Sequence, residues 1–342
     1  MSILSLPPEL LYYVFSHILG SGPSNPLSYP AIAHDLCTFC LVHSTWRKPA
    51  QATLQEEVFA MVNSTSEEAE RMIKEKGCLL VEKGVRGTKF LTIVGNLESF
   101  LEATGDGMWT EVVVLQFQHR TKPLALIGIE FFSRFPSLEK LSLLFGVLGF
   151  KPLAFDCSFI NLRTLAVNSL SGLAGTPSDL QHIISPACMP NLVNLACDAA
   201  SSAFPLETVI INILPQLKTL RITDERNKLS DITFSAILAQ ATNLVHLAPD
   251  CCNTEFYGIF DDTVKLDLES LHLSEDHSQY ADFVLPLLVM AVKGEHKMVK
   301  FKKVVLYGSK EKWKCDLPDL DLGVLEWREN EDKPSFDDFD GE

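Results

Sequence analysis

The sequence predicts an α/β protein: a short module of three helices, followed by a curved solenoid of strand–helix units with a parallel sheet on its concave side. Three observations lead to this prediction. An apolar pattern typical of amphipathic helices occupies the first 60 residues. A Leu-x-x-Leu-x-Leu pattern then recurs along the chain at spacings of 21 to 33 residues. Helix-like segments lie between the copies of this pattern.

The first helix is predicted to begin at two consecutive prolines. Pro7 and Pro8 preset the backbone angle where no intrahelical N–H is needed, and Glu9 suits the positive start of the helix dipole. Gly20 ends the helix. The residues between recur at the spacing that places apolar groups on one helix face, and they are Leu10, Leu11, Val14, Phe15, Ile18 and Leu19.

Two more helices are predicted after a loop rich in Gly, Pro, Ser and Asn. Residues 31–42 form a short apolar segment, and Ser44 is a suitable cap for a third helix. One side of this third helix carries Trp46, Ala50, Leu54 and Val58. Because three short helices cannot bury so many large side chains among themselves, some should face the rest of the chain or another protein. The candidates are Leu10, Phe15, Ile18, Val42 and Trp46.

This arrangement resembles the F-box, the motif that attaches substrate receptors to cullin-RING ubiquitin ligases through a Skp-type adaptor. The matching positions are Leu6-Pro7-x-Glu9-Leu10, Val14-Phe15, Leu36, Leu41-Val42, Trp46-Arg47 and Ala50. The connection over residues 20–35 is longer than the family usually has. The resemblance implies that the adaptor is bound by Leu6, Pro7, Pro8, Glu9, Leu10, Phe15, Ile18, Val42 and Trp46.

The rest of the chain is a repeat array. Leu138-x-x-Leu141-x-Leu143 is followed by copies that begin at Leu162, Leu192, Leu217, Leu244 and Leu268, with weaker copies at Thr88, Val112, Phe301 and Leu322. Several copies follow a proline and a polar residue, namely Pro136-Ser137, Pro190-Asn191 and Pro215-Gln216. The helix-like segments between copies are residues 178–184, 206–214, 230–241 and 279–292. The chain therefore resembles the leucine-rich-repeat family in an irregular form.

Each copy is predicted to have an inner and an outer side. The first, fourth and sixth residues enter an apolar column shared with neighbouring units, whereas the third, fifth and seventh point outward. Pro249, at a sixth position, predicts a shortened strand. The outward residues form a mixed polar surface that suits a protein segment, or else a solvated face whose partner contacts the loops. The candidate target-binding residues are Gln116, Gln118, Asn168, Asp198, Arg221, His246, Asp250 and His272.

Composition narrows the range of partners and compartments. The 342 residues include 29 Lys and Arg and 44 Asp and Glu. The resulting net charge of -15 argues against a nucleic-acid partner. The sequence has no signal-peptide pattern and no apolar run long enough to span a membrane. Nine scattered cysteines fit a reducing compartment. We therefore expect a cytoplasmic or nuclear protein that does not bind membranes.

The sequence predicts no catalytic, cofactor or metal site. It lacks the phosphate-binding, dinucleotide-binding, serine-hydrolase and zinc-protease motifs. His246 and His272 are the two histidines predicted to be neighbours, as outward residues of nearby copies, and as surface polar groups they need no special role.

The predicted organisation has four parts. Residues 1–60 form the F-box, 61–87 a helical linker or cap, 88–328 the repeat array and 329–342 an acidic, disordered tail. The resemblance implies a non-catalytic receptor subunit that binds a Skp-type adaptor, and through it a cullin, while the repeats hold an unidentified target protein. One alternative is a ligase-independent scaffold whose N-terminal helices cap the solenoid. Another, taken from relatives that combine both modules, is a small-molecule sensor on the concave sheet.

Overall fold

The computed structural model divides the chain into two compact units, residues 1–153 and 154–342. It describes residues 7–8, 10–11, 14–15, 38, 41, 44–62, 88–95, 108–118, 126–127, 129–144, 149–150, 159–167, 181, 183–198, 208, 210–224, 231–251, 259, 264–292, 299–309, 311–313 and 324–328. No helix within these ranges combines the length and the apolar character needed to cross a membrane.

The first unit is built on a parallel sheet that directly follows a helix. Helix α1 covers Ser44–Glu56, and the chain passes at once into strand β1, Glu57–Val62. The further strands are β2 (Phe90–Gly95), β3 (Val114–Gln118), β4 (Leu126–Ile127), β5 (Lys140–Leu144) and β6 (Gly149–Phe150). The main sheet has the order β1-β2-β3-β5, while β4 and β6 pair separately. A 3-10 helix, Ile129–Arg134, precedes β5.

The second unit continues the same design. Its strands are β7 (Thr164–Val167), β8 (Asn194–Asp198), β9 (Thr219–Asp224), β10 (His246–Cys251), β11 (Leu266–Leu273), β12 (Val299–Tyr307) and β13 (Leu325–Arg328). All pair in parallel in sequence order. The helices are α2 (Asp231–Gln240) and α3 (Ala281–Val292), with 3-10 helices at Leu214–Gln216 and Glu275–Tyr280.

Strand order in each unit follows the sequence, so every parallel pair requires a crossover connection. This α/β arrangement is consistent with the predicted solenoid. The six strong copies contain β5 and β7 to β11, and the weaker copies contain β2, β3, β12 and β13. Helices α2 and α3 confirm two of the four predicted helical segments. In the other two, the structure describes helical backbone at residues 181 and 183, and at 208 and 210.

The predicted apolar column exists within each unit. In the first unit the aligned fourth positions are Leu91, Leu115 and Leu141, and in the second they are Leu165, Leu195, Leu220, Leu247, Leu271, Val304 and Leu325. All except Leu325 are buried. Burial of one such side chain contributes about 1.5–3 kcal/mol, so the column is a main source of stability.

In four copies the polar residue just before the first position has a structural role. Asn191 Nδ2 donates to the carbonyl of Ile160 at 2.7 Å, and Asn243 Nδ2 donates to that of Pro215 at 2.6 Å. Ser137 Oγ donates equivalently to Thr110 at 2.7 Å. Gln216 Nε2 reaches two carbonyl groups, those of Met189 and Leu192. Each bond joins a copy to the preceding one, which explains why a polar residue recurs there.

Backbone hydrogen bonds form a second contact that recurs between successive copies. The N–H groups of the second and third residues of a copy both donate to the carbonyl of the second residue in the preceding copy. Val193 and Asn194 donate in this way to Arg163, and Lys218 and Thr219 donate to Val193, at 2.8–3.1 Å. The same pair of bonds joins Val113 and Val114 to Lys89 in the first unit. This pair of hydrogen bonds therefore recurs even though the number of residues between copies varies.

The structure corrects three predictions about where strands lie and how long they are. Val58 was expected on the third helix, but the helix ends at Glu56 and Val58 lies in β1, opposite Leu91 of β2. Residues 61–62, expected in a helical linker, also belong to β1. Pro249 does not shorten β10, which pairs with β9 over six residues. Instead the pairing with β11 ends at Leu247, near the proline that lacks an N–H. Residues 63–87 and 329–342 lie outside the described residues.

Candidate binding surfaces

The N-terminal segment begins as its prolines predict. The carbonyl of Pro7 accepts hydrogen bonds from the N–H groups of Leu10 and Leu11, both at 3.1 Å, and Pro8 is helical. Proline fits this first turn because its missing N–H is not needed there. Among the described residues of this segment, Leu10, Leu11, Val14 and Phe15 are helical as well.

Phe15 and Trp46 are not part of an exposed contact surface. They are 2% and 8% exposed, and their rings pack edge to face with centroids 6.0 Å apart. This corrects the expectation that both side chains face an adaptor directly. Because the aromatic pair joins the first helical segment to α1, the two residues stabilise the module from within.

Other apolar side chains of the segment are exposed instead. Leu10 is 51% exposed, Val14 43% and Leu41 81%, and Pro7 and Pro8 are exposed beside them in sequence. We call Leu10, Val14 and Leu41 the apolar set. Leu10 and Val14 are four residues apart, the spacing of neighbours on one helix face, so together they offer an exposed apolar surface to a partner. The other predicted adaptor residues, Leu6, Glu9, Ile18 and Val42, lie outside the described residues.

Helix α1 has a continuous path despite an internal proline. Ser44, predicted to cap this helix, is its first residue, and Pro49 lies inside the helix without ending it. Thr53 Oγ1 donates to the carbonyl of Pro49 at 3.0 Å. Ala50 and Thr53 are fully buried, so one side of α1 packs inside the first unit.

In each unit, the second candidate surface is the outward face of the sheet, which carries the third, fifth and seventh positions of each copy. Of the predicted target-binding residues, Gln116, Arg221 and His246 are half-buried and lie on strands as expected. Gln118, Asp198 and Asp250 have strand backbone, but their side chains are not among those described. Asn168 lies outside the described residues. His272 is only 4% exposed, so the expectation that it is a surface residue was wrong.

Two small residues on this face are buried although they occupy outward positions. Arg221 stands opposite Ala196 on β8 and Ala248 on β10, and both alanines are buried. The face is therefore more closely packed than its sequence pattern indicated.

A chain of hydrogen bonds crosses this face from β10 to β13. His246 Nδ1 lies 2.7 Å from Ser270 Oγ, and that oxygen lies 2.8 Å from His272 Nε2. His272 Nδ1 lies 3.1 Å from Tyr307 Oη. Arg328 Nη1 donates to the same hydroxyl at 3.3 Å. The prediction that His246 and His272 are neighbours is thus confirmed, with Ser270 between them.

Charged residues hold the β13 end of this hydrogen-bond network in place. Arg328 lies 5.6 Å from the centre of the Tyr307 ring, in position for a cation–π contact. Its Nε donates to Glu326 at 2.8 Å, and Lys303 bonds the other carboxylate oxygen of Glu326. The hydrogen bonds from Lys303 and Arg328 hold the pKa of Glu326 below its ordinary value. Glu326 therefore remains ionised and fixes both cations.

A separate exposed ion pair lies on β11 and β12. Lys302 Nζ bonds Glu269 Oε1 at 2.9 Å. This hydrogen bond lowers the pKa of Glu269 and raises that of Lys302. Both side chains are solvent-exposed, so the pair contributes little to stability.

Sequence reasoning missed four members of the network, Lys303, Tyr307, Glu326 and Arg328. The signal was present, because these residues occupy the third and seventh positions of the weak copy at Phe301 and the fifth and seventh of the copy at Leu322. Among the weak copies, candidates were taken only from the one at Val112, namely Gln116 and Gln118. Tyr307 is fully buried, so a search for exposed binding residues would not have included it in any case.

The described side chains offer two surfaces that suit recognition of another molecule. No group of three or more His, Cys, Asp or Glu side chains able to hold a metal ion occurs within the described ranges. The arrangement offers hydrogen-bond donors, ring edges and fixed charges on a sheet face, as well as the apolar set near the N-terminus. Both suit recognition of another molecule. Comparison with protein-family models gives no match, and a search of curated proteins finds no significant similarity.

Proposed function

We propose that this chain is the substrate-recognition subunit of an SCF-type cullin-RING ubiquitin ligase. In this role the N-terminal helical module binds a Skp-type adaptor, and the outward face of the repeats binds a target protein. The chain itself makes and breaks no bonds, because it acts by raising the effective concentration of the target near the charged enzyme. It works in the cytoplasm or the nucleus.

The observation that carries the proposal is the apolar set. Leu10, Val14 and Leu41 are exposed in a segment whose sequence resembles the F-box. If this segment only covered the end of the repeat array, these side chains would be buried against it. Their exposure instead favours a partner that supplies the missing apolar surface.

Co-expression with a Skp-type adaptor tests the proposal. Leu10→Glu and Leu41→Glu each place a charge in the apolar set and should weaken adaptor capture by about tenfold or more. Ile160→Glu and Met290→Glu are matched controls, because both residues are exposed and apolar but belong to the repeats. These controls should bind the adaptor as the unmodified chain does. Equal capture by all four variants would reject the proposal.

A ligase-independent scaffold remains the second candidate, supported by the position of α1. This helix runs directly into β1, and Phe15 packs on Trp46 inside the module. Under this alternative the helices serve as a cap for the repeat array. Leu10→Glu would then lower the melting temperature of the isolated chain, and the adaptor would neither bind nor stabilise the protein.

A further inference from the structure

We draw no further inference here: the strongest candidate, the apolar patch that Pro286 and Met290 expose one helical turn apart on α3 of the second unit, carries none, because nothing within the described residues shows what covers it.

Discussion

Asn243 donates a hydrogen bond from its side-chain amide to the backbone carbonyl of Pro215, 2.6 Å away and one repeat earlier. Asn191 makes the equivalent bond to Ile160. Replacing Asn191 or Asn243 by Ala should lower the free energy of unfolding by about 0.5–1.5 kcal/mol, measured by urea denaturation, because one net hydrogen bond is lost. Gln240→Ala is the control, since its amide bonds only within its own helix, to Ala236. An effect of the control as large as that of the Asn variants would contradict this prediction.

Leu195 tests the apolar column. It is buried between Leu165 and Leu220 in the sheet register. Leu195→Ala removes buried methyl groups and leaves a cavity, and we expect a loss of about 2–5 kcal/mol in unfolding free energy. Ile160→Ala removes a similar amount of apolar surface at an exposed position and should cost less than about 0.5 kcal/mol. Similar losses for both variants would be inconsistent with a shared column.

Phe15 and Leu41 should respond differently to truncation. Phe15→Ala empties a buried site against Trp46, so the helical module should lose protection from hydrogen exchange and also lose adaptor binding. Leu41→Ala should weaken adaptor binding with little change in exchange, because its side chain is exposed. If both variants changed exchange equally, Leu41 would be structural as well.

Glu326 gives β13 a pH-dependent contribution to stability. Its pKa is lowered from an ordinary value of 4.5, chiefly by the bond from Lys303 and also by that from Arg328. A carboxylate with a depressed folded-state pKa stabilises the fold above its unfolded-state pKa, and the contribution disappears as the pH falls through the folded-state value. The stability difference between the unmodified chain and Glu326→Gln should thus be largest near neutral pH and shrink as the pH decreases below 4.5. Denaturation over a pH series measures it, and a constant difference would refute the assignment.

Much of the sheet was predictable because an apolar pattern recurs along the chain, once per strand. Leucine at the first and fourth positions marked β5 and β7 to β11. Strand β1 was missed because its fourth and sixth positions are Val58 and Ala60, and its first would be Gln55, inside α1. A copy without leucine gives no periodic signal.

The candidate sites were less predictable for a different reason. Alternation along a strand indicates which side a residue faces, but not how much of it a neighbour covers. His272 faces outward and is nevertheless buried, because its bonds to Ser270 and Tyr307 draw it into a network. In the same way, amphipathic spacing identified Phe15 and Leu10 as one face, although the first is buried and the second exposed. Burial depends on partners distant in sequence, which periodicity does not encode.

No residue separates the end of α1 at Glu56 from the start of β1 at Glu57. A partner bound to α1 therefore cannot move independently of β1, because no flexible linker joins the two elements. If a Skp-type adaptor is that partner, its position relative to the sheet of the first unit would be set by this direct junction and not by a linker.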